Sequence, residues 1–346
     1  MRTASDVCRA LLEAGIVVSP AEVRVEARDD CTVAFLPGDR IVWFADGERG
    51  MRRLNLERRV LGLVEQRCSF RMPHVLHVAP DGQYDVRAAV PGQCRPWDLY
   101  ERAKADTKLA ARIGAQLGRI LAEQHTRVAA SDAASWLPSR PYWPEPSAWI
   151  RERIPRVTPD RRLFDDVCAM LACHDAIVVD ERDRVLVHGD IGFHNIAVDP
   201  ETCDVQGVFD YKDAAWADRH DDFRYLLFDV ERDDMLEAAL AVYQPAAART
   251  LSRARIALSN AASAASFLAF RDGVPPDQPW CGRTLEQDLA WTRTAIDRWS
   301  SLPDDPPRNT IFAVLDPASL RTDDGVPWAE VSRQMAARTR AGKVEK

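Results

Sequence analysis

Apolar residues fall into two regimes along this chain: strand-length blocks up to about residue 90, then long stretches at helical spacing. Positions 5 to 14 predict a short amphipathic helix stopped by Gly15, a residue that tolerates the left-handed backbone closing a helix. VRVEAR, CTVAFL and RIVWFA, the last ending at Ala45, read as three strands. Pro37, Gly38 and Asp39 divide the last two, which predicts a β-meander. Between Arg52 and Glu65, Leu54, Val60, Leu61 and Val64 recur at helical spacing, with Glu57 inside that helix. Strand-like segments follow around His74 to Val78 and Tyr84 to Val90, and Pro91, Gly92 and Gln93 then predict a crossover.

The second regime opens with a periodic helix over 108 to 126, carrying Leu117, Ile120, Leu121 and His125 on or near one face. His125 reads as a packed histidine rather than a ligand. Between 131 and 148 serine, proline and tryptophan predict a loop whose Trp136 and Trp143 are candidates to border a ligand. Residues 222 to 299 are nearly all helix-compatible; the acidic cluster Asp229, Glu231, Asp233, Asp234 and Glu237 could attract the amino groups of a polycation, but Asp233 or Asp234 is expected rather to cap the next helix. Past Pro303 the composition turns to Pro, Asp and Arg, an expected tail ordered at TIFAVL. The order implies an α+β chain: a small lobe over 1–92, a large, mainly helical lobe over 93–302, and a tail over 303–346.

One segment carries chemistry: VHGDIGFHNIAVDPETCDVQGVFDYKDAAWADRHDD, residues 187 to 222. Asp190 follows the apolar run Val185, Leu186, Val187, so it is expected at a strand end. Asn195 stands five residues on, and its amide oxygen is a hard ligand suited to magnesium. Val205 to Phe209 predicts another strand, ending in Asp210. A base, an amide ligand and a carboxylate ligand at the ends of neighbouring short strands suit phosphoryl transfer, which needs positioning and charge neutralisation more than covalent help.

Protein kinases carry HRDLxxxN followed by DFG. Here His188, Asp190, Ile191 and Asn195 stand in HGDIGFHN, with Gly189 for the arginine, and Asp210 opens DYK. With Asp213, Ala214, Trp216, Asp218 and Asp222 following, the segment resembles the aminoglycoside phosphotransferase family of small-molecule kinases. That resemblance implies a protein-kinase-like two-lobed fold: an antiparallel sheet with one main helix, then a helical lobe whose C-terminal helices wall the acceptor site. It implies Asp190 as catalytic base, Asn195 and Asp210 as Mg2+ ligands, and His188 and Asp222 as structural support for the loop. It also implies ATP or GTP as phosphate donor and a small-molecule acceptor such as an aminoglycoside. Choline, homoserine and sugar kinases resemble the same template.

One departure stands out. Such kinases place a lysine on the third strand, paired with a glutamate on the following helix. In Ile41, Val42, Trp43, Phe44 the lysine position reads as Phe44, and Glu57 reads as the partner of an absent lysine in the nucleotide site. Arg24, Arg28, Arg52 or Arg53 are the expected substitutes, and a ligand-binding pseudokinase is the alternative to an enzyme.

Composition adds little. The 346 residues are 46% hydrophobic, enough for a sizeable core, with no run long enough to span a membrane and a mixed, acidic start that predicts a cytoplasmic protein. A net charge of −7 argues against nonspecific nucleic-acid binding and suits a cationic substrate. Eight cysteines show no CxxC pair, so free thiols are expected. Nothing in the sequence specifies an oligomeric state.

Overall fold

Helix α1 (Ala4–Glu13) begins at a reciprocal cap, in which the Thr3 hydroxyl accepts from the Asp6 N–H at 3.2 Å and the Asp6 carboxylate accepts from the Thr3 N–H at 2.9 Å. The computed structural model describes residues 2–28, 30–228 and 232–303. Met1–Trp299 form one compact unit, and the expected tail from 304 on, TIFAVL included, lies outside the described residues.

Strands β1 (Arg24–Ala27), β2 (Cys31–Leu36), β3 (Arg40–Ala45), β4 (His74–Val78) and β5 (Tyr84–Ala88) form an antiparallel sheet in the order β1-β2-β3-β5-β4. Helix α2 (Gly47–Arg67) follows β3 and starts a turn before the apolar repeat signals it. Strand alternation decides what each sheet face does. Val42 and Phe44 of β3 and Tyr84 and Val86 of β5 are buried with Val7 and Leu11 of α1. Ile41 and Trp43 lie on the opposite face, where they pair across the strands with Arg87 and Asp85. The assignment of the lysine position to Phe44 is therefore corrected. Phe44 is a core residue, and Ile41 and Trp43 are the β3 side chains that line the cleft.

The chain then builds a helical lobe from α3 (Pro96–Ala105), α4 (Thr107–Arg127), α5 (Ala130–Ala133), α6 (Ser147–Val157) and α7 (Arg161–Asp175). Strands β6 (Arg184–Val187), β7 (Ile196–Val198), β8 (Val205–Val208) and β9 (Ala215–Asp218) precede α8 (Tyr225–Phe228), α9 (Asp233–Ala247), α10 (Arg253–Ala269) and α11 (Leu285–Ser301). Helices α4 and α9 touch backbone to backbone. A Cβ on Gly114 would sit 2.1 Å from the Met235 carbonyl oxygen and one on Gly118 2.4 Å from that of Ala239, so only glycine fits there.

β6 pairs with β9 and β7 with β8, so the expected neighbouring strands belong to two separate ribbons. A Phe209 N–H to Asn195 carbonyl bond of 3.0 Å continues the β7–β8 hairpin to the site. The expected helical run breaks over 271–284, where Trp280 and Arg283 pair in a tight turn. Nor do Asp233 and Asp234 cap α9: Arg232 holds the cap position, and the two acids lie in the first turn. Asp229 and Glu231 lie outside the described residues, and Glu237 is ion-paired with Arg253. All eight cysteines are free, and among the described residues no helix is long and apolar enough to cross a membrane.

Candidate active site

Asp222 holds the loop after β6 in place. Its fully buried carboxylate accepts the N–H groups of His188 at 2.8 Å and Gly189 at 2.9 Å, and His125 Nε2 lies 3.1 Å away. Burial alone would raise this carboxyl, but the bonds and charge from His125, with His188 and the loop amides, hold it below the usual range. His125 continues to the Tyr243 hydroxyl at 2.9 Å, a chain that helical periodicity could not reveal. Gly189 has φ +83°, and a Cβ there would lie 2.4 Å from the Asp213 carbonyl oxygen, which explains why the kinase-like arginine is replaced by glycine. The Arg224 guanidinium supports the same turn by donating to the Gly189 carbonyl.

His188 is buried and accepts the Asp190 N–H at its Nδ1, 3.3 Å away. Its Nε2 therefore carries the proton and donates to the Phe209 carbonyl at 3.0 Å. Burial pushes its pKa down, so the ring is a neutral strut between the two loops.

Asp190 is positioned at both oxygens. The Tyr225 hydroxyl donates to Oδ1, while Asn195 Nδ2 and His194 Nε2 lie 3.0 and 3.2 Å from Oδ2. Burial would raise this carboxyl too, yet the His194 ring, the Tyr225 hydroxyl and the Lys212 ammonium together hold it well below the ordinary carboxylate range. Asn195 also donates to the Asp190 carbonyl at 2.7 Å, so its amide nitrogen is engaged and its oxygen is the atom available for a cation.

Asp210 has left-handed backbone geometry, φ +71°. One carboxylate oxygen pairs with Lys212, and the other, Oδ1, is buried without a hydrogen-bond partner. Next to it, the Tyr211 N–H donates to Glu57 Oε1 at 3.0 Å. The other Glu57 oxygen meets Arg87 NH1 at 2.8 Å, and Arg87 also binds Asp85, with Nε at 2.8 Å from Oδ1. Arg87 supplies a cation opposite Glu57, from β5 rather than β3. It was not among the four arginines expected from sequence. Arg24 and Arg28 line the same cleft, Arg53 is held by Asp30 and Asp213 elsewhere, and exposed Arg52 pairs with Glu48.

Two cavities meet here. One, of about 420 Å³, is lined by Trp43, Glu57, Arg87, Asn195 and Asp210, with Ala88 to Val90 leading into the crossover. The other, of about 530 Å³, is lined by Asp190, Asp213, Tyr225 and a set of aromatic side chains that includes Trp143. His194 lies on the wall of both. Trp136 is not in either; Arg59 covers its ring at 3.9 Å.

The profile of the phosphotransferase enzyme family matches residues 31–258, about two-thirds of the chain. Among solved structures, the GDP complex of aminoglycoside 2'-phosphotransferase-IIIa superposes with a TM-score of 0.64 at 17% identity, covering 85% of this chain and 98% of that one. The apoenzyme of macrolide 2'-phosphotransferase MphH from Brachybacterium faecium gives 0.57 at 18% identity, covering 86% and 99%. The streptomycin–ATP ternary complex of APH(2")-IIa gives 0.56 at 14% identity, covering 86% and 97%. These likenesses establish the two-lobed α+β fold. No curated protein matches the chain in sequence.

Proposed function

The chain belongs to the phosphotransferase enzyme family, and from that premise we propose that it transfers the γ-phosphoryl group of ATP or GTP to a hydroxyl of a small molecule. The observation that carries this reading is the Asp190 carboxylate, fixed on one cavity wall and bonded to Asn195, which lines the adjoining cavity with Asp210. The small lobe, 1–92, and the smaller cavity take the nucleotide; the large lobe, 93–302, and the larger cavity take the acceptor. Nucleotide complexes of similarly folded proteins support the donor. We place the reaction in the cytoplasm, where nucleoside triphosphates are abundant.

In this mechanism Asp190 accepts the proton of the acceptor hydroxyl as its oxygen bonds to the γ-phosphorus. The bond from that phosphorus to the β–γ bridging oxygen breaks, and the nucleoside diphosphate leaves with the electron pair. The strongly acidic character of Asp190 fits late proton transfer, with positioning as its first task. Arg87, held by Glu57 and Asp85, lines the cavity given to the nucleotide and is the candidate there for a phosphate-side cation.

The donor set fits magnesium. Asp210 Oδ1 is buried and unpaired, and the Asn195 amide oxygen is a second hard donor. Asn195 and Asp210 would hold the ion, and when bound it would neutralise charge on the phosphate oxygens.

The pseudokinase alternative rests on the absent third-strand lysine; Arg87, on β5, is the cation that meets Glu57 instead, and activity decides between the two readings. The test is magnesium-dependent nucleoside diphosphate release and product formation across an alcohol panel, with Asp190→Ala as the blank. Equal silence of wild type and variant, with nucleotide still bound, would leave the pseudokinase.

A further inference from the structure

We infer that the acceptor is an apolar, ring-containing alcohol without multiple ammonium groups. The inference rests on the phosphotransferase reading above and narrows its substrate. The cavity beside Asp190 is lined by aromatic rings that pack on one another. Trp143 stacks on Phe270 with centroids 5.5 Å apart and an interplanar angle of 13°, and Phe270 continues to Trp280 at 5.8 Å and 15°. Phe267 closes on Trp280 at 4.6 Å. The loop before α6, the end of α10 and the turn before α11 thus converge on one aromatic wall. Rings or alicyclic faces laid on it gain the burial of both surfaces and offset stacking.

Charge in the same cavity points away from a polycation. Only Asp190 and Asp213 bring carboxylates to it among the described residues. Asp190 is the proposed base, and Asp213 is neutralised by Arg53. Arg53 and Arg283 are on the wall as well, Arg53 paired with Asp30 and Asp213 and Arg283 with Asp288. The Arg283 guanidinium lies 3.5 Å from the Trp291 centroid and Arg53 lies 5.4 Å from that of Tyr142, so these aromatic faces are already covered by cations. An acceptor with several ammonium groups would lose hydration here without gaining carboxylate partners, a costly exchange. Among the described residues, the overall −7 charge, which suits a cationic substrate, is not concentrated on this wall. An apolar alcohol would undergo the same balanced transfer: its O–H proton goes to Asp190, its oxygen gains the phosphoryl group, and the nucleoside triphosphate leaves as the diphosphate.

The full chain with magnesium and ATP or GTP is offered naphthylethanol and estradiol, against kanamycin and choline. Binding is read by calorimetry, and transfer by diphosphate release and phosphomonoester detection by mass spectrometry. The expected result is binding of the ring alcohols with a negative heat-capacity change, and kcat/KM at least about 100-fold above that for kanamycin or choline, the order of discrimination an apolar pocket achieves. Trp280→Ala should weaken estradiol binding at least tenfold and Trp280→Phe should restore most of it. Preferential binding or phosphorylation of kanamycin or choline overturns the inference and leaves the phosphotransferase reading standing. Ring-alcohol binding without transfer to any compound keeps the ligand class and overturns the phosphotransferase reading. Failure of both ring alcohols to bind, or Trp280→Ala binding estradiol as wild type does, overturns the inference.

Discussion

Arg87 NH1 lies 2.8 Å from Glu57 Oε2, joining strand β5 to helix α2, and the other Glu57 oxygen takes the Tyr211 N–H beside Asp210. A single buried carboxylate thus ties the cleft-facing cation to the metal-side loop. Arg87→Met would leave Glu57 buried without its cation, at a cost of about 3–5 kcal/mol, while Asp85 keeps Arg58 at 3.1 Å. Arg87→Lys keeps the charge but loses the forked geometry. Thermal melts with and without MgATP check this: Arg87→Met should melt well below wild type, while Arg87→Lys should fold and lose part of its nucleotide-induced stabilisation.

The turn at Gly189 allows a sharper test of the loop. Gly189→Ala adds a Cβ 2.4 Å from the Asp213 carbonyl oxygen at φ +83°. The left-handed penalty alone is about 1–2 kcal/mol, and the clash adds to it. Displacing the Asp190 backbone should lower kcat at least about tenfold, the order expected when a reacting group shifts by a fraction of an ångström, while KM for the nucleotide changes little. Steady-state kinetics read both.

Much of this arrangement was legible in the sequence. The segment 187–222 placed Asp190, Asn195 and Asp210 at strand ends, where a fixed loop length leaves such residues few places to go, and the structure bonds Asn195 to Asp190 and sets it beside Asp210 on one cavity wall. Alternation in β3 was misread by one residue, and a one-residue slip exchanges the two faces of a strand. That slip put Phe44 in the cleft when the core holds it, and it hid Trp43. Arg87 was invisible for another reason: its partner Glu57 lies thirty residues earlier, and only the sheet order brings β5 next to β3. The aromatic wall was half legible. Trp143 was a candidate from composition, but Phe270 and Trp280 join it only through the packing of α10 and the turn beyond.

Acid should weaken the fold partly through His125. Burial lowers the pKa of this ring, although Asp222 opposes the shift. Below about pH 6.5, the ordinary histidine value, the unfolded chain binds a proton that native His125 resists. The unfolded state then holds more protons, so this contribution is complete above that value and falls as pH drops. Asp221, pushed up to about 6 by burial and Asp218, acts in the opposite sense. The readout is therefore the difference between wild type and His125→Gln. Urea midpoints at neutral pH and about one unit below 6.5 should converge for the pair as pH falls, by up to about 1.4 kcal/mol per unit. Parallel curves would mean the ring does not titrate as described.

A variant at Asp210 would separate magnesium binding from nucleotide binding. Its Oδ1 is buried without a partner, while Oδ2 is paired with Lys212. Asp210→Asn keeps the shape but removes the charge that a divalent cation needs, and it leaves the Lys212 ammonium facing a neutral amide. Because Glu57, Arg87 and Trp43 still line the cleft, nucleotide without magnesium should bind within a few-fold of wild type. The gain that magnesium adds should largely vanish, a loss of about 1.5–3 kcal/mol if one charge-assisted contact is removed. Calorimetric titrations of ATP with magnesium and with EDTA give both numbers for each protein. If the magnesium-dependent gain survives in Asp210→Asn, the ion is held elsewhere and the role given to Asp210 is wrong; a variant that loses metal-free binding as well would point to collapse of the loop, which melting temperature distinguishes.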